Sequence, residues 1–287
     1  TKGGLMVKVL IIGAGRVGTS FGYFLNQHEF EIIGVCNKHF ASARKAVELI
    51  GEGKPLSHDE LFKTLNQVDL VIITTPDDKI EKIAEEIEDK VNSQIYLMHM
   101  SGLHTSEILN KENNNLINVF CLHPLQAIAN FKEGKNLLPE TTYTLEGDKK
   151  GQQFGIELAK KLGIQYNIID SKYKPLYHAA AVIVSNYLVT LMQTGYDLFA
   201  EAGILNQQTK SGLLNLVKGT LSNLEQMPPE DALTGPIARG DKQTLAKHIE
   251  TLSDLKADDL ELYQVLGKYT AEMIDNKEIK DIFERGV

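Results

Sequence analysis

The chain has 287 residues, 24% of them charged and 43% hydrophobic, with a formal net charge of −8. This is the make-up of a soluble globular chain long enough for two domains, each with its own core. The acidic balance excludes nucleic acid as the main partner, while leaving room for a local basic pocket around one phosphate.

Cys36 and Cys121 sit in apolar strand-like runs and read as reduced core residues, not as a disulfide or a metal pair, which places the chain in a reducing, cytoplasmic setting. No run is read as reaching the length of a membrane span and no secretory pattern is seen, so no membrane partner is expected. Thr1–Leu5 reads as an added remnant ahead of Met6.

The first predicted strand runs into Gly13-Ala14-Gly15-Arg16-Val17-Gly18, and a helical pattern follows at once. The strand–GxGxxG–helix order is that of a dinucleotide-binding turn. Gly13 allows the sharp exit from the strand, Gly15 leaves room for a pyrophosphate against the backbone, and Gly18 lets helix and sheet approach. The helix start adds free N–H groups and a dipole that favours phosphate.

The second strand, residues 31–36, ends at Asn37-Lys38. An NAD-preferring site would carry a carboxylate near this point for the ribose 2′-hydroxyl. Here Asn37, Lys38, Ser42 and Arg44 stand instead, the polarity a 2′-phosphate wants, so the reading favours NADP(H). Solvated helix-start residues are the alternative for Lys38 and Arg44.

A buried strand over 69–74 leads to Thr75-Pro76-Asp77-Asp78, where Pro76 and two acids suit the first turn of a helix. Thr75 and Pro76 should flank the cofactor. Two further strands, 95–98 and 116–122, lead to the loops His99-Met100-Ser101-Gly102 and His123-Pro124-Leu125-Gln126, both at the carboxyl edge where ligands bind in such sheets. Ser101, Gly102 and His123 are candidate substrate contacts, and no histidine shows metal-ligand spacing. Short strands over 142–146 and 166–169 flank a helix from about 149 to 162.

Beyond residue 170 the strand patterns stop and helical periodicity takes over, giving a dinucleotide-binding domain over 6–170 and a helical domain over 171–287. The long helix starting near Lys174-Pro175 is apolar on nearly all sides from His178 to Tyr187 and is therefore expected to be buried. Lys174, His178, Ala181 and Ser185 fall on one stripe with Asn186 at its flank. Lys174 or His178 is the candidate proton donor, both biased toward neutrality by the helix N-terminus. Asn186 is a substrate candidate, and Arg239, ahead of the presumed cap Asp241, is a candidate ligand for a small carboxylate substrate.

These motifs, together with Lys174-Pro175-x-Tyr177-His178-Ala179-Ala180 and Leu233-Thr234-Gly235-Pro236-Ile237-x-Arg239-Gly240-Asp241, resemble one set. It is that of the bacterial proteins joining a Rossmann-like domain to a helical domain of formerly unknown function, similar to the β-hydroxyacid and 6-phosphogluconate dehydrogenase-like group. The resemblance spans nearly the whole chain. It implies an α/β Rossmann sheet followed by an all-α C-terminal domain, a homodimer, an active site in the interdomain cleft, and oxidoreductase activity. Some members are ketopantoate reductases, which makes ketopantoate the leading substrate. Another hydroxy acid, an imine, a deazaflavin partner, or a non-catalytic NADP-binding regulator are the alternatives. One departure stands out: the wider group commonly has asparagine four residues after its lysine, where this chain has His178.

Overall fold

A computed structural model describes residues 6–285; Thr1–Leu5, read above as a remnant, lie outside the described residues. The first part of the chain alternates strand and helix: β1 (Lys8–Ile12), α1 (Arg16–Asn26), β2 (Glu31–Cys36), α2 (Phe40–Ile50), β3 (Lys54–Leu56), α3 (His58–Leu65), β4 (Leu70–Ile73), α4 (Asp77–Glu88), β5 (Ile95–His99), β6 (Ile117–Pro124), α5 (Phe131–Leu137), β7 (Thr142–Gly147), α6 (Lys149–Leu162) and β8 (Gln165–Ile168). The strands form one sheet in the order β3-β2-β1-β4-β5-β6-β7-β8. The first six are parallel, the order of a doubly wound dinucleotide-binding sheet; β7 runs antiparallel to β6, and β8 parallel to β7.

Strand alternation explains why both faces of this sheet are apolar. Val9 and Ile11 of β1, with Leu70 and Ile72 of β4, point into one core beside Phe21, Phe24 and Leu25 of α1. Leu10, Ile12, Val71 and Ile73 point into the other, which α3 and α4 close with Leu61, Leu65, Ile80 and Ile87. A sheet covered on both faces requires such continuous hydrophobic strands.

Two expectations about this part change. β3 and α3 had no counterpart in the sequence reading; Ser57 closes a reciprocal capping box with Glu60 there. His123 and Pro124 belong to β6 itself and not to a loop after it, because Pro124 still pairs with Tyr143 of β7. An imidazole on a strand has its direction fixed by the pleat.

The remaining elements are helical: α7 (Lys174–Glu201), α8 (Gln207–Gln226), the single turns α9 (Pro229–Ala232) and α10 (Pro236–Arg239), then α11 (Lys242–Ser253), α12 (Ala257–Met273) and α13 (Lys277–Arg285). The chain divides into two compact units after Tyr187 and not at residue 170, because the head of α7 is held by the sheet. In the second unit Leu245 and Ile249 of α11, Ala271 of α12, and Ile279 and Phe283 of α13 make a small core. Asp241 caps α11 as expected, accepting from Thr244 N–H.

The expectation that α7 is buried fails. Lys174 is its one buried residue, while Leu176 and Val184 are 70% and 72% exposed. Ser171–Glu201 contains an 18-residue window of mean hydropathy 1.3 and is long and apolar enough to cross a membrane by length and composition, which corrects the reading that no run reaches that length. α8 likewise buries no residue, although Leu214, Leu216, Leu221 and Leu224 lie along it.

Candidate active site

The GxGxxG turn forms as the residue types require. Gly13 has φ +82°, and a Cβ there would lie 2.3 Å from Thr75 Cγ2 and 2.7 Å from Thr75 N. Gly18 packs against Thr74, whose Oγ1 donates to the Gly13 carbonyl at 3.1 Å and so pins the turn. Gly15 differs from both: a Cβ there would find nothing nearer than Gly13 O at 3.8 Å, so it faces open space. That space is a cleft of about 540 Å³.

Gly13, Ala14, Gly15 and Arg16 form the floor of the cleft, and Asn37, Lys38, Thr75 and Pro76 stand around it. Val17 and Gly18 turn away into the core. Arg44 does not line the cleft; its guanidinium lies 5.7 Å from the centre of the Phe40 ring. Lys45 lines it instead, with His39 and Ser42, a difference of one residue that the 100° turn per helical position decides. Asn130 and Phe131, at the start of α5, also line it and were missed; the only local signal is that Asn130 Oδ1 accepts from Glu133 N–H as a helix cap.

The residues present fit a dinucleotide. Asn37 Oδ1 and Thr75 Oγ1 are buried with no hydrogen-bond partner, although Asn37 Nδ2 donates to Ala14 O at 3.2 Å. Buried acceptors left open cost free energy unless a ligand uses them. The N-terminus of α1 carries no side-chain cap and no acid in its first turn, so its N–H groups and dipole remain for an anion.

A second cleft, of about 420 Å³, opens where β6 meets the head of α7. His123, Gln126, His178, Ser185 and Asn186 line it, with Ala181 and Val182 as its apolar wall. Three sequence candidates, His123, His178 and Asn186, therefore converge here. Among the described lining residues none is Lys or Arg.

Gly102 is the hinge of this arrangement. A Cβ on it would lie 2.5 Å from His178 Nδ1 and 2.9 Å from His123 Nε2, so glycine alone lets both rings close on the loop. His178 Nδ1 is buried without a partner. His123 Nδ1 pairs with the Tyr177 hydroxyl at 2.7 Å, a contact the sequence reading missed because Tyr177 showed no motif of its own.

Ser101 was expected to touch substrate, but its hydroxyl is committed. Oγ donates to Asp77 Oδ2 at 2.8 Å and accepts from the Leu103 and His104 amides, which uses its one donor and both lone pairs. Asp77 is thus more than a helix-starting acid: it ties α4 to this loop.

Lys174 lies behind the cleft, 1% exposed. Its ammonium donates to Ser101 O at 3.2 Å, Cys121 Sγ at 2.9 Å and Glu146 Oε1 at 3.2 Å, which accounts for all three protons. Glu146 also accepts from Ser106 N–H and Oγ–H. His99, Cys121 and Glu146 come within 4.8 Å of one another, a grouping sequence spacing did not show. The lysine cation is hydrogen-bonded to two of them, and His99 is occupied at Nε2 by Thr105 O and at Nδ1 by the Ser101 amide. Burial, then the Lys174 charge, pushes His99 down to about 3, and burial holds Cys121 up at about 12, so both stay neutral. Arg239, the remaining sequence candidate, is exposed and belongs to the second unit.

Residues 7–143 match the family model described as an oxidoreductase family with an NAD-binding Rossmann fold, and residues 141–270 match a domain of unknown function, DUF2520. Among solved structures, a protein of Bacteroides fragilis described as an NADP oxidoreductase is 20% identical with a TM-score of 0.73, covering 93% of this chain and 98% of its own. A protein of Thermotoga maritima is 23% identical with a TM-score of 0.71, covering 96% and 100%. An imine reductase from Pseudomonas sp. is 17% identical with a TM-score of 0.60, covering 97% and 99%. At these identities the structural likeness concerns the fold. The two family models meet end to end: residues 7–143 are similar to the NAD-binding Rossmann fold of an oxidoreductase family, and residues 141–270 are similar to the DUF2520 domain.

Proposed function

We propose that this chain is an NADPH-dependent reductase of a small carbonyl compound, with the 2-oxo acid ketopantoate as the first substrate to test. The observation that carries the reading is the second cleft, where two imidazoles and Asn186 face one space a short way along the same sheet edge as the dinucleotide turn. When bound, the cofactor supplies a hydride. The chain's own part is to hold the carbonyl and to deliver the proton that completes the alcohol.

His178 is the proposed donor, because its ring lines the cleft and its Nδ1 has no partner, while the three protons of Lys174 are all in use. Asn186 and His123 hold the substrate. Lys38, Ser42 and Lys45 are the proposed 2′-phosphate ligands, which favours NADPH over NADH. Among the described lining residues the cleft has no cation of its own, so an acid substrate must draw its counter-charge from elsewhere.

That same absence of a lining cation favours a second reading, reduction of an imine, and the Pseudomonas structure is described as an imine reductase. NADPH oxidation measured with ketopantoate and with a cyclic imine, each beside NADH, separates the two. Turnover of ketopantoate supports the first; turnover of the imine alone transfers the assignment to the second. Binding of NADPH with no turnover of any carbonyl or imine makes the chain a cofactor-binding regulator.

The apolar positions exposed along α7 support a homodimer in which a second copy covers that helix, as opposed to a membrane contact. Light scattering in the absence of detergent tests it: a monomeric mass rejects the dimer.

A further inference from the structure

His123 stands on β6 with Tyr177 at one ring nitrogen and the open side of Gly102 at the other. We propose that His123 meets the substrate as a hydrogen-bond donor through Nε2–H, with Tyr177 fixing that tautomer.

The tautomer follows from who can donate. Burial raises the Tyr177 phenol above its ordinary value, so it keeps its proton, and Thr144 hydrogen-bonds the same phenol from β7. With the phenol oxygen receiving Thr144, its O–H is left for His123 Nδ1 at 2.7 Å. An imidazole that accepts at Nδ1 carries its proton on Nε2. Nε2 is the atom that a Gly102 side chain would block, and the ring lines the second cleft. The strand fixes where the ring sits; the tyrosine decides which nitrogen faces out.

The charge state follows from the surroundings. Lys174 and His178 face the ring from α7 and Asp77 from α4, while Glu146, His99 and Cys121 surround the ammonium. Asp77 alone favours a protonated ring, and its carboxylate already takes the Ser101 hydroxyl. Burial first, then Lys174 and His178, pushes His123 down to about 4. A ring that is neutral throughout the physiological range polarises a carbonyl without giving up its proton, as neutral histidines do at other reductive and enolising sites. His178 then remains the one imidazole of the pair whose proton moves.

The use of this donor rests on the reductase reading, but the tautomer and charge are properties of the chain alone. Long-range ¹H–¹⁵N NMR on the ¹⁵N-histidine-labelled full chain reads both, with His123 assigned by its loss in His123→Asn. The expected result is a single Nε2–H neutral pattern, unchanged from pH 8 to about 5. Tyr177→Phe should mix the tautomers and lower kcat between about 10- and 100-fold with NADPH affinity kept, the usual cost of losing a group that orients a histidine. Lys174→Met should move the ring's titration upward; should that variant fail to fold, Tyr177→Phe alone carries the test.

A wild-type Nδ1–H pattern, a titration near pH 6.5, or an unchanged ¹⁵N pattern in Tyr177→Phe overturns the proposal while leaving the reductase reading intact. The expected pattern with no turnover of any carbonyl or imine overturns the donor role, and the reductase reading with it.

Discussion

The two clefts of the sheet unit are built in opposite ways. The dinucleotide cleft is made of backbone: a glycine at positive φ, a second glycine facing open space, and the bare N-terminus of a helix, all within six residues of chain. The histidine cleft is made of side chains drawn from β6, α7 and the loop after β5, standing over a buried ion pair. A turn made of backbone fails on the addition of one carbon. A side-chain-made site depends on whatever holds its elements together, which here is the ammonium of Lys174.

The sharpest way to break the second cleft is therefore from below. Lys174→Met leaves Glu146 buried and charged with only the Ser106 donors, and losing one partner of a buried ion pair costs about 3–5 kcal/mol. Urea unfolding should show a loss in that range, and Glu146→Gln in the same chain should recover part of it by removing the orphaned charge. A loss below ~1 kcal/mol would mean the clamp is not what holds the head of α7.

One substitution made in each cleft sharpens the contrast. Gly102→Ala places a Cβ 2.5 Å from His178 Nδ1 and must push the two imidazoles apart, so about 1–3 kcal/mol of stability and most of the turnover should go while NADPH affinity stays. Gly15→Ala has 3.8 Å of clearance, so stability should hold and NADPH affinity should fall. Isothermal titration with NADPH, set beside thermal unfolding, reads both. Equal losses of affinity in the two variants would mean the clefts are not independent.

Acid should weaken the fold around the buried histidines. His99 is pushed down to about 3 and His123 to about 4, both from 6.5 in the unfolded chain. The unfolded state therefore binds more protons as pH falls below 6.5. Stability is full above that value and is lost as pH drops toward the folded-state values, by up to ~1.4 kcal/mol per pH unit for each histidine. Denaturant midpoints at pH 7 and pH 5.5 measure it. His123→Asn should flatten the slope by about half, and an unchanged slope would remove His123 from the account.

The difference between the clefts also explains what was legible in the sequence. Gly13, Gly15, Asn37, Lys38, Thr75 and Pro76 were readable because each lies in or just after a strand whose end must face the ligand, and strand order is set by hydrophobic pattern. His123, His178 and Asn186 were legible as candidates, but their convergence was not, because 55 residues separate His123 from His178 and long-range contacts, the β6–β7 pairing, the Lys174 clamp and the His123–Tyr177 hydrogen bond, bring them together. The role of Lys174 was misread for a related reason. A lysine at a helix start reads as a candidate proton donor, and the partners that take its three protons lie 28, 53 and 73 residues away. Burial of α7 was inferred from composition, and composition does not say whether anything covers an apolar helix.

The smallest expected effect is the most discriminating for the first cleft. Arg44 and Lys45 are neighbours in sequence, yet one helical step sends Arg44 over the Phe40 ring and Lys45 to the wall of the cleft. If phosphate is held by side chains at the start of α2, Lys45→Ala should weaken NADPH about tenfold, or ~1.4 kcal/mol, and leave NADH unchanged. Arg44→Ala should shift either cofactor by less than ~0.5 kcal/mol, as a surface change does. Fluorescence titration with both cofactors reads the difference. A loss of NADPH selectivity in Arg44→Ala would mean that the guanidinium leaves the Phe40 ring when phosphate arrives, so that part of this cleft too is assembled by side chains.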